Sequence, residues 1–142
     1  MGSPPAEAWA VAVTRLTGEE TLKLDVLGLC GWLHLHVAHF RPARTADGGW
    51  RTAVQGNGKG YPDLTIVGVT EVMWRELKDT KRKVEPEQQE WLDKLTAAGA
   101  NAGVWRPADW ESGRIEDELR AIADPRLSKT AFDLSTLKRR PR

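Results

Sequence analysis

The sequence predicts a single-domain α/β fold, a mixed β-sheet flanked by helices. The chain is 142 residues long, one domain by length and enough for a real core. Its apolar segments run helix, strand, strand, strand, helix, strand, helix. A meander followed by a crossover through a helix closes a mixed sheet with helices packed on it. The central stretch, Gly60 to Lys78, reads as two short apolar, β-branched runs joined by a turn at Gly68 to Glu71. No repeat of about 20 to 50 residues is present.

Residues 1–16 are small and Pro-containing and read as a flexible lead-in to a domain over residues 17–124. Thr17, with Glu20 three positions on, has the capping-box spacing of a helix start. Leu22, Val26, Leu29 and Leu33 then form an apolar stripe, with Glu19 at its head and Glu20 rotated away. Gly31 is the expected stop. Trp32 to Phe40 alternates as a strand, with Leu33, Leu35, Val37 and His39 on one face. His39 there reads as a hydrogen-bonded core histidine, with an auxiliary place in a site as the alternative.

Arg41 to Lys59 is a long loop of Arg, Gly and small polar residues without periodicity, and loops of that length are usually functional or disordered. Beyond the hairpin, Pro86 suits the first turn of a helix whose start is acidic, and Gly99 suits its end. Trp91, Leu92 and Leu95 mark its buried side. Ala100 to Arg106 reads as a strand, and Ser112 to Ala123 as a helix with Ile115, Leu119 and Ile122 inward. Residues 125–142 form a basic tail. Of the seven tryptophans, Trp50 and Trp110 are expected to be exposed.

No apolar run approaches the roughly 20 residues of a membrane-spanning helix, and no basic region followed by an apolar block opens the chain. Cys30 is the single cysteine, which excludes an internal disulfide or a cysteine-rich zinc site. A reducing, cytoplasmic setting follows as the expectation. The net charge of +1 is neutral on nucleic acid, but basic residues cluster locally. Arg41, Arg44, Arg51 and Lys59 precede the hairpin, and Lys78, Lys81, Arg82 and Lys83 follow it. Basic groups on both sides of a carboxylate pair suit a phosphate ligand.

The hairpin carries that pair. If Gly68 lies opposite Glu71, Asp63 lies opposite Glu76, and directly opposed residues have Cβ atoms about 5 Å apart. Lys78, two residues on, points to the same face. Crowded carboxylates in an apolar setting are costly unless paired or metal-bound. Mg2+ is usually held by one or two carboxylates plus waters and substrate phosphate. Asp63 and Glu76 supply that set, and the main-chain carbonyl of Leu77 can add a neutral oxygen. Lys78 can orient an attacking water or stabilise charge on a phosphate. Glu19, if its helix end points at the hairpin, adds a third carboxylate. Gln88, one turn into the next helix, can hydrogen-bond the water or a phosphate. Against this stands a structural reading, in which Asp63 caps its strand and Glu76 pairs with Lys78 or Arg75.

Pro62-Asp63, twelve intervening residues and Glu76-Leu77-Lys78 resemble the motif of the PD-(D/E)XK nuclease superfamily. The wider set is similar to its VRR-NUC branch, whose stand-alone members come from phages and bacteria. It comprises Gly60 to Leu64, Glu76-Leu77-Lys78, Pro86-Glu87-Gln88-Gln89-Glu90-Trp91-Leu92, Ala98-Gly99 and Val104-Trp105-Arg106-Pro107. The resemblance implies a restriction-endonuclease-like fold and Mg2+- or Mn2+-dependent cleavage of DNA. It implies Asp63 and Glu76 as metal ligands, Lys78 as the catalytic lysine and Gln88 as the glutamine of the following helix. The first-helix glutamate maps to Glu19 or Glu20, and the inward stripe favours Glu19. Similarity to Holliday-junction resolvases implies a homodimer acting on branched DNA, with Arg41, Arg44, Arg51, Lys59, Lys81, Arg82 and Lys83 as DNA contacts. The competing class is a catalytically silent nucleic-acid-binding module of the same fold.

Overall fold

The computed structural model describes residues 18–40, 43–44, 46–48, 50–51 and 55–126. The lead-in, the expected Thr17 cap and most of the basic tail lie outside them. Helix α1 spans Gly18–Trp32, followed by strands β1 (His36–His39), β2 (Ala43–Arg44), β3 (Trp50–Arg51), β4 (Leu64–Val67) and β5 (Val72–Leu77). Helix α2 (Pro86–Ala97), strand β6 (Asn101–Trp105) and helices α3 (Pro107–Glu111) and α4 (Arg114–Ile122) complete the chain.

The main sheet has the order β1-β4-β5-β6. β1, β4 and β5 pair antiparallel, and β6 joins β5 in parallel after the α2 crossover. This is the expected mixed sheet. The apolar stripe of α1 (Leu22, Val26, Leu29, Cys30) and that of α4 (Ile115, Leu119, Ile122) pack on Leu64, Ile66, Met73, Leu77 and Trp105. The hairpin turn docks on the end of α4, where the Ile122 carbonyl accepts from Val69 N at 2.7 Å. The approach is so close that a Cβ on Gly68 would overlap that carbonyl.

One charge lies inside this core. Arg75 is buried, and its guanidinium donates to the Asn101 carbonyl (3.1 Å), Asn101 Oδ1 (2.7 Å), the Trp74 carbonyl (2.8 Å) and Glu118 Oε1 (2.8 Å). It also stacks over the Trp105 ring at 5.1 Å. Glu118 Oε2 in turn accepts from Trp105 Nε1 at 3.1 Å, which ties α4 to the sheet.

Several local expectations are corrected. Helix α1 runs past Gly28 and Gly31 to Trp32, so the first strand is four residues rather than the stretch from Trp32. The helix closes where Leu35 N donates to Cys30 O and His34 N to Gly31 O, with His34 left-handed at φ 56°. That is the Schellman pattern with histidine in the usual glycine place. Burial of Leu33 and Leu35 fixes where the chain turns, and this outweighs the helix-stopping tendency of Gly31.

The Arg41–Lys59 loop holds a small ribbon, β2 paired with β3, too short to show a period in the sequence. A five-residue helix, α3, precedes α4, and the two are separated by Gly113 at φ 83°. The final helix therefore starts at Arg114, two residues later than expected. Trp110 packs against the core instead of facing solvent, while Trp32 is 62% exposed. The side chain of Trp50 lies outside the description.

Candidate active site

The hairpin register is the expected one. Val67 pairs with Val72 and Leu64 with Arg75, and Gly68 N donates to Glu71 O at 2.9 Å. Continued by one residue, that ladder sets Asp63 against Glu76. The two interlock: Asp63 N donates to Glu76 Oε2 at 3.3 Å, and Leu77 N donates to Asp63 Oδ2 at 2.9 Å. The segment leading into Asp63 is held by Tyr61, whose hydroxyl bonds Thr65 Oγ1 and accepts from Trp74 Nε1, both at 3.0 Å. Tyr61 also packs edge-on against Phe40 and Trp91.

Glu76 is 2% exposed and Lys78 3%. Lys78 Nζ lies 3.8 Å from Glu76 Oε1, longer than a hydrogen bond. The shorter contact to that oxygen comes from Gln88, whose Nε2 donates at 2.7 Å. Gln88 Oε1 accepts from Glu85 N at 2.9 Å, so both ends of the amide are fixed. Pro86 at the first helical position sets this phase. The structural alternative is thus met in part, since Glu76 does stand near Lys78. It leaves two opposed carboxylates beside one lysine.

Burial, and after it the negative charge of Asp63, pushes the Glu76 carboxyl up to about 9; Lys78 opposes this too weakly to restore it. Glu19 is likewise raised, by burial first and by Asp63 next. Within the protein alone, these carboxylates do not all carry charge comfortably.

They open onto a cleft of about 320 Å3 whose walls also include Glu20, Lys23, His39, Leu77 and Arg82. Wider hollows of about 470 Å3, beside Trp91, and 380 Å3, beside His34, lie elsewhere. Neither gathers opposed carboxylates, so chemistry rather than size selects the smaller one. His39 is half-buried and forms part of the cleft wall rather than sitting wholly in the core.

Of the expected DNA contacts, Arg82 reaches the cleft and pairs with Glu19 (Nη1 to Oε2, 3.8 Å). Lys81 and Lys83 are exposed beside it. Lys59 points instead to Glu87, at 3.2 Å on the rim of the wider hollow. Arg44 and Arg51 lie on β2 and β3, with side chains outside the description, and Arg41 lies outside the described residues. Two residues were missed. Lys23 follows Glu19 by four positions, one helical turn, a spacing that was there to be read. Arg106 donates to the main-chain carbonyls of Asp79 (2.6 Å) and Arg82 (2.8 Å), partners without a sequence signature.

The donor set fits Mg2+ or Mn2+. Two opposed carboxylates and a carbonyl-bearing strand end line one side of a cleft open to water and phosphate. Among the described residues, no three His, Cys, Asp or Glu side chains form a ready chelate. A hard cation that keeps most of its own waters does not require one.

A family model, the VRR-NUC domain, matches residues 36–109, just over half of the chain. A solved structure described as a VRR-NUC domain protein is similar over 78% of this chain and 93% of that one, with 20% identity and a TM-score of 0.51; at that identity the likeness speaks for the fold. No curated protein sequence matches. The family match takes in Asp63, Glu76, Lys78 and Gln88 and stops short of Glu19: the chain belongs to the VRR-NUC branch of the PD-(D/E)XK nuclease superfamily.

Proposed function

We propose that the protein is a Mg2+- or Mn2+-dependent DNA endonuclease, selective for branched DNA and acting as a homodimer. The observation that carries this is the interlocked Asp63–Glu76 pair, half-buried and buried respectively, beside the buried Lys78 at the mouth of an open cleft. Asp63, Glu76 and the Leu77 carbonyl would hold the ion, with Glu19 as a further ligand. A bound divalent cation supplies positive charge to the phosphate and makes an attacking water more acidic.

The chain does the rest. Lys78, drawn close to Glu76 and stripped of solvent, aims an ammonium at negative charge growing on a phosphate oxygen. Gln88 holds the Glu76 carboxylate through Oε1, as the Asp63 N–H holds it through Oε2. Arg82 at the cleft wall, with the exposed Lys81 and Lys83 next to it in the chain, would supply positive charge for the DNA backbone. Preference for branched DNA, and dimerisation, rest on the likeness to junction resolvases.

The test is cleavage of labelled four-way junction, flap and duplex DNA with Mg2+ or Mn2+, beside Glu76→Ala and Lys78→Ala. Both substitutions should abolish product; activity that survives both sinks the proposal. Calorimetric titration of Mn2+ separates this reading from a silent binding module, which need not take up the ion. Light scattering with and without junction DNA measures the oligomeric state.

A further inference from the structure

The turn that follows β5 carries Arg82 into the cleft and is fastened from outside it, to the head of α1 and to the start of α3. We infer that Arg82 is a phosphate-binding residue stored on Glu19 until DNA arrives, and that Arg106 is the residue that positions it. The inference rests on the reading of the cleft as a metal-dependent DNA-cleaving site.

The turn is closed by Arg82 N donating to Asp79 O at 3.3 Å, and one Arg106 nitrogen, Nη1, bridges the carbonyls of Asp79 and Arg82. The Arg106 main chain is itself fixed, because its backbone N–H donates to Asp109 Oδ2 (2.8 Å) at the start of α3. On the other side the Asp79 carboxylate lies against the first residue of α1, where a Cβ on Gly18 would come within 2.5 Å of Asp79 Oδ1. The turn is therefore held between α3 and the head of α1. The residue after Gly18 is Glu19, and the residue that closes the turn is Arg82.

Their ion pair is built to exchange. At 3.8 Å, with the Arg82 side chain 65% exposed and that of Glu19 30%, it is longer than a hydrogen bond and solvent-screened. A DNA phosphate offers the guanidinium two oxygens in a shorter, bidentate contact. Once Arg82 leaves, Glu19 loses the nearer of its two counter-charges, keeps Lys78, and still faces Asp63 and Asp79, and a cation in the cleft gains from that. DNA and metal would thus each favour the binding of the other, as linkage requires.

The test uses the full chain, Mn2+ by calorimetry with and without a phosphorothioate duplex that resists cleavage, and labelled junction DNA by anisotropy in EDTA. Arg82→Ala should bind Mn2+ about two- to fivefold more tightly without DNA, because a competing cation is gone. It should bind DNA more weakly, with a log–log salt slope smaller by about 0.9, one phosphate contact. The gain in Mn2+ affinity on adding DNA, present in the wild type, should shrink. Arg106→Gln should move the same three quantities the same way by less, and Arg106→Lys should restore part of the loss. The double variant Arg82→Ala/Arg106→Gln should match Arg82→Ala alone. Lys94→Ala, which removes one positive charge on the outer side of α2, should move none of them.

Unchanged Mn2+ and DNA affinities in Arg82→Ala, with a wild type that binds the ion and cuts DNA, overturn the latch and leave the nuclease reading standing. Additive losses in the double variant, tracking a fall in Tm, overturn the positioning role of Arg106. A wild type that takes up no Mn2+ and cuts nothing overturns both readings together.

Discussion

Arg75 and Glu76 are consecutive on one strand, both buried and both ionisable, and their surroundings are opposites. Arg75 faces the helical core, where a carboxylate, an amide, two carbonyls and an indole face converge on it. Of its own guanidinium nitrogens only Nε lacks a hydrogen-bond partner among the described residues. Glu76 faces the cleft, where its nearest charged neighbour across the sheet is another carboxylate and its one cation stands 3.8 Å away. One charge is compensated and ties α4 to the sheet. The other is left in excess where a ligand can reach it. Burial alone therefore does not distinguish a structural charge from a functional one; the balance of partners does.

The contrast can be broken from either side. Glu76→Gln should lower cleavage by about a thousandfold or more, several kcal/mol of barrier. It should leave Tm unchanged near neutral pH and raise it at alkaline pH, because the amide never carries the charge that a deprotonated Glu76 would set beside Asp63. Loss of both fold and activity would instead make Glu76 structural. Glu118→Ala should do the converse. Breaking a buried pair costs about 3 to 5 kcal/mol, discounted here to about 2 to 3 because Glu118 is about one-quarter exposed. Urea denaturation measures that loss, and the cleavage rate per folded molecule should hold.

A third prediction sharpens the same contrast through pH. Glu76 is shifted from 4.5 up to about 9, so the folded state holds this proton more tightly than the unfolded state. Its contribution to stability is full below about 4.5 and is lost as pH rises towards about 9 in metal-free protein. Mn2+ should cancel that loss, giving a larger rise in Tm at the alkaline end of the window than at the acid end. A uniform rise across the window would separate the ion from Glu76. The smallest effect lies far from the cleft. His34→Gly relieves a left-handed residue at the end of α1 and should raise stability by about 1 kcal/mol, read as a higher urea midpoint.

The parts of the site legible in the sequence were those set by local geometry. A four-residue turn fixes the partners along two strands, so Gly68 to Glu71 was enough to bring Asp63 to Glu76. Pro86 gave the phase of α2 and hence Gln88. The apolar stripe of α1 set the half-buried Glu19, which meets Arg82 and Asp63 electrostatically, apart from the more exposed Glu20, and both line the cleft. What stayed hidden depends on tertiary contact. Arg106 acts on main-chain carbonyls, α3 is too short to show a period, and β2 and β3 are two residues each. The end of α1 was misplaced because a glycine was given more weight than the burial of Leu33 and Leu35. Lys59 illustrates the limit of charge counting: it is basic and near the hairpin, yet it is held by Glu87 outside the cleft.

The hairpin also bears on how the chain folds. Asp63 and Glu76 are thirteen residues apart, and their strands meet through a short turn, so closing that loop costs little chain entropy. Pairing of this kind forms in microseconds, whereas the β5–β6 pairing must wait for the α2 crossover to be laid down. The carboxylate pair would then assemble early, still hydrated, and become costly only when the helices close over it. A divalent cation present during refolding would meet its two principal ligands before the core is complete.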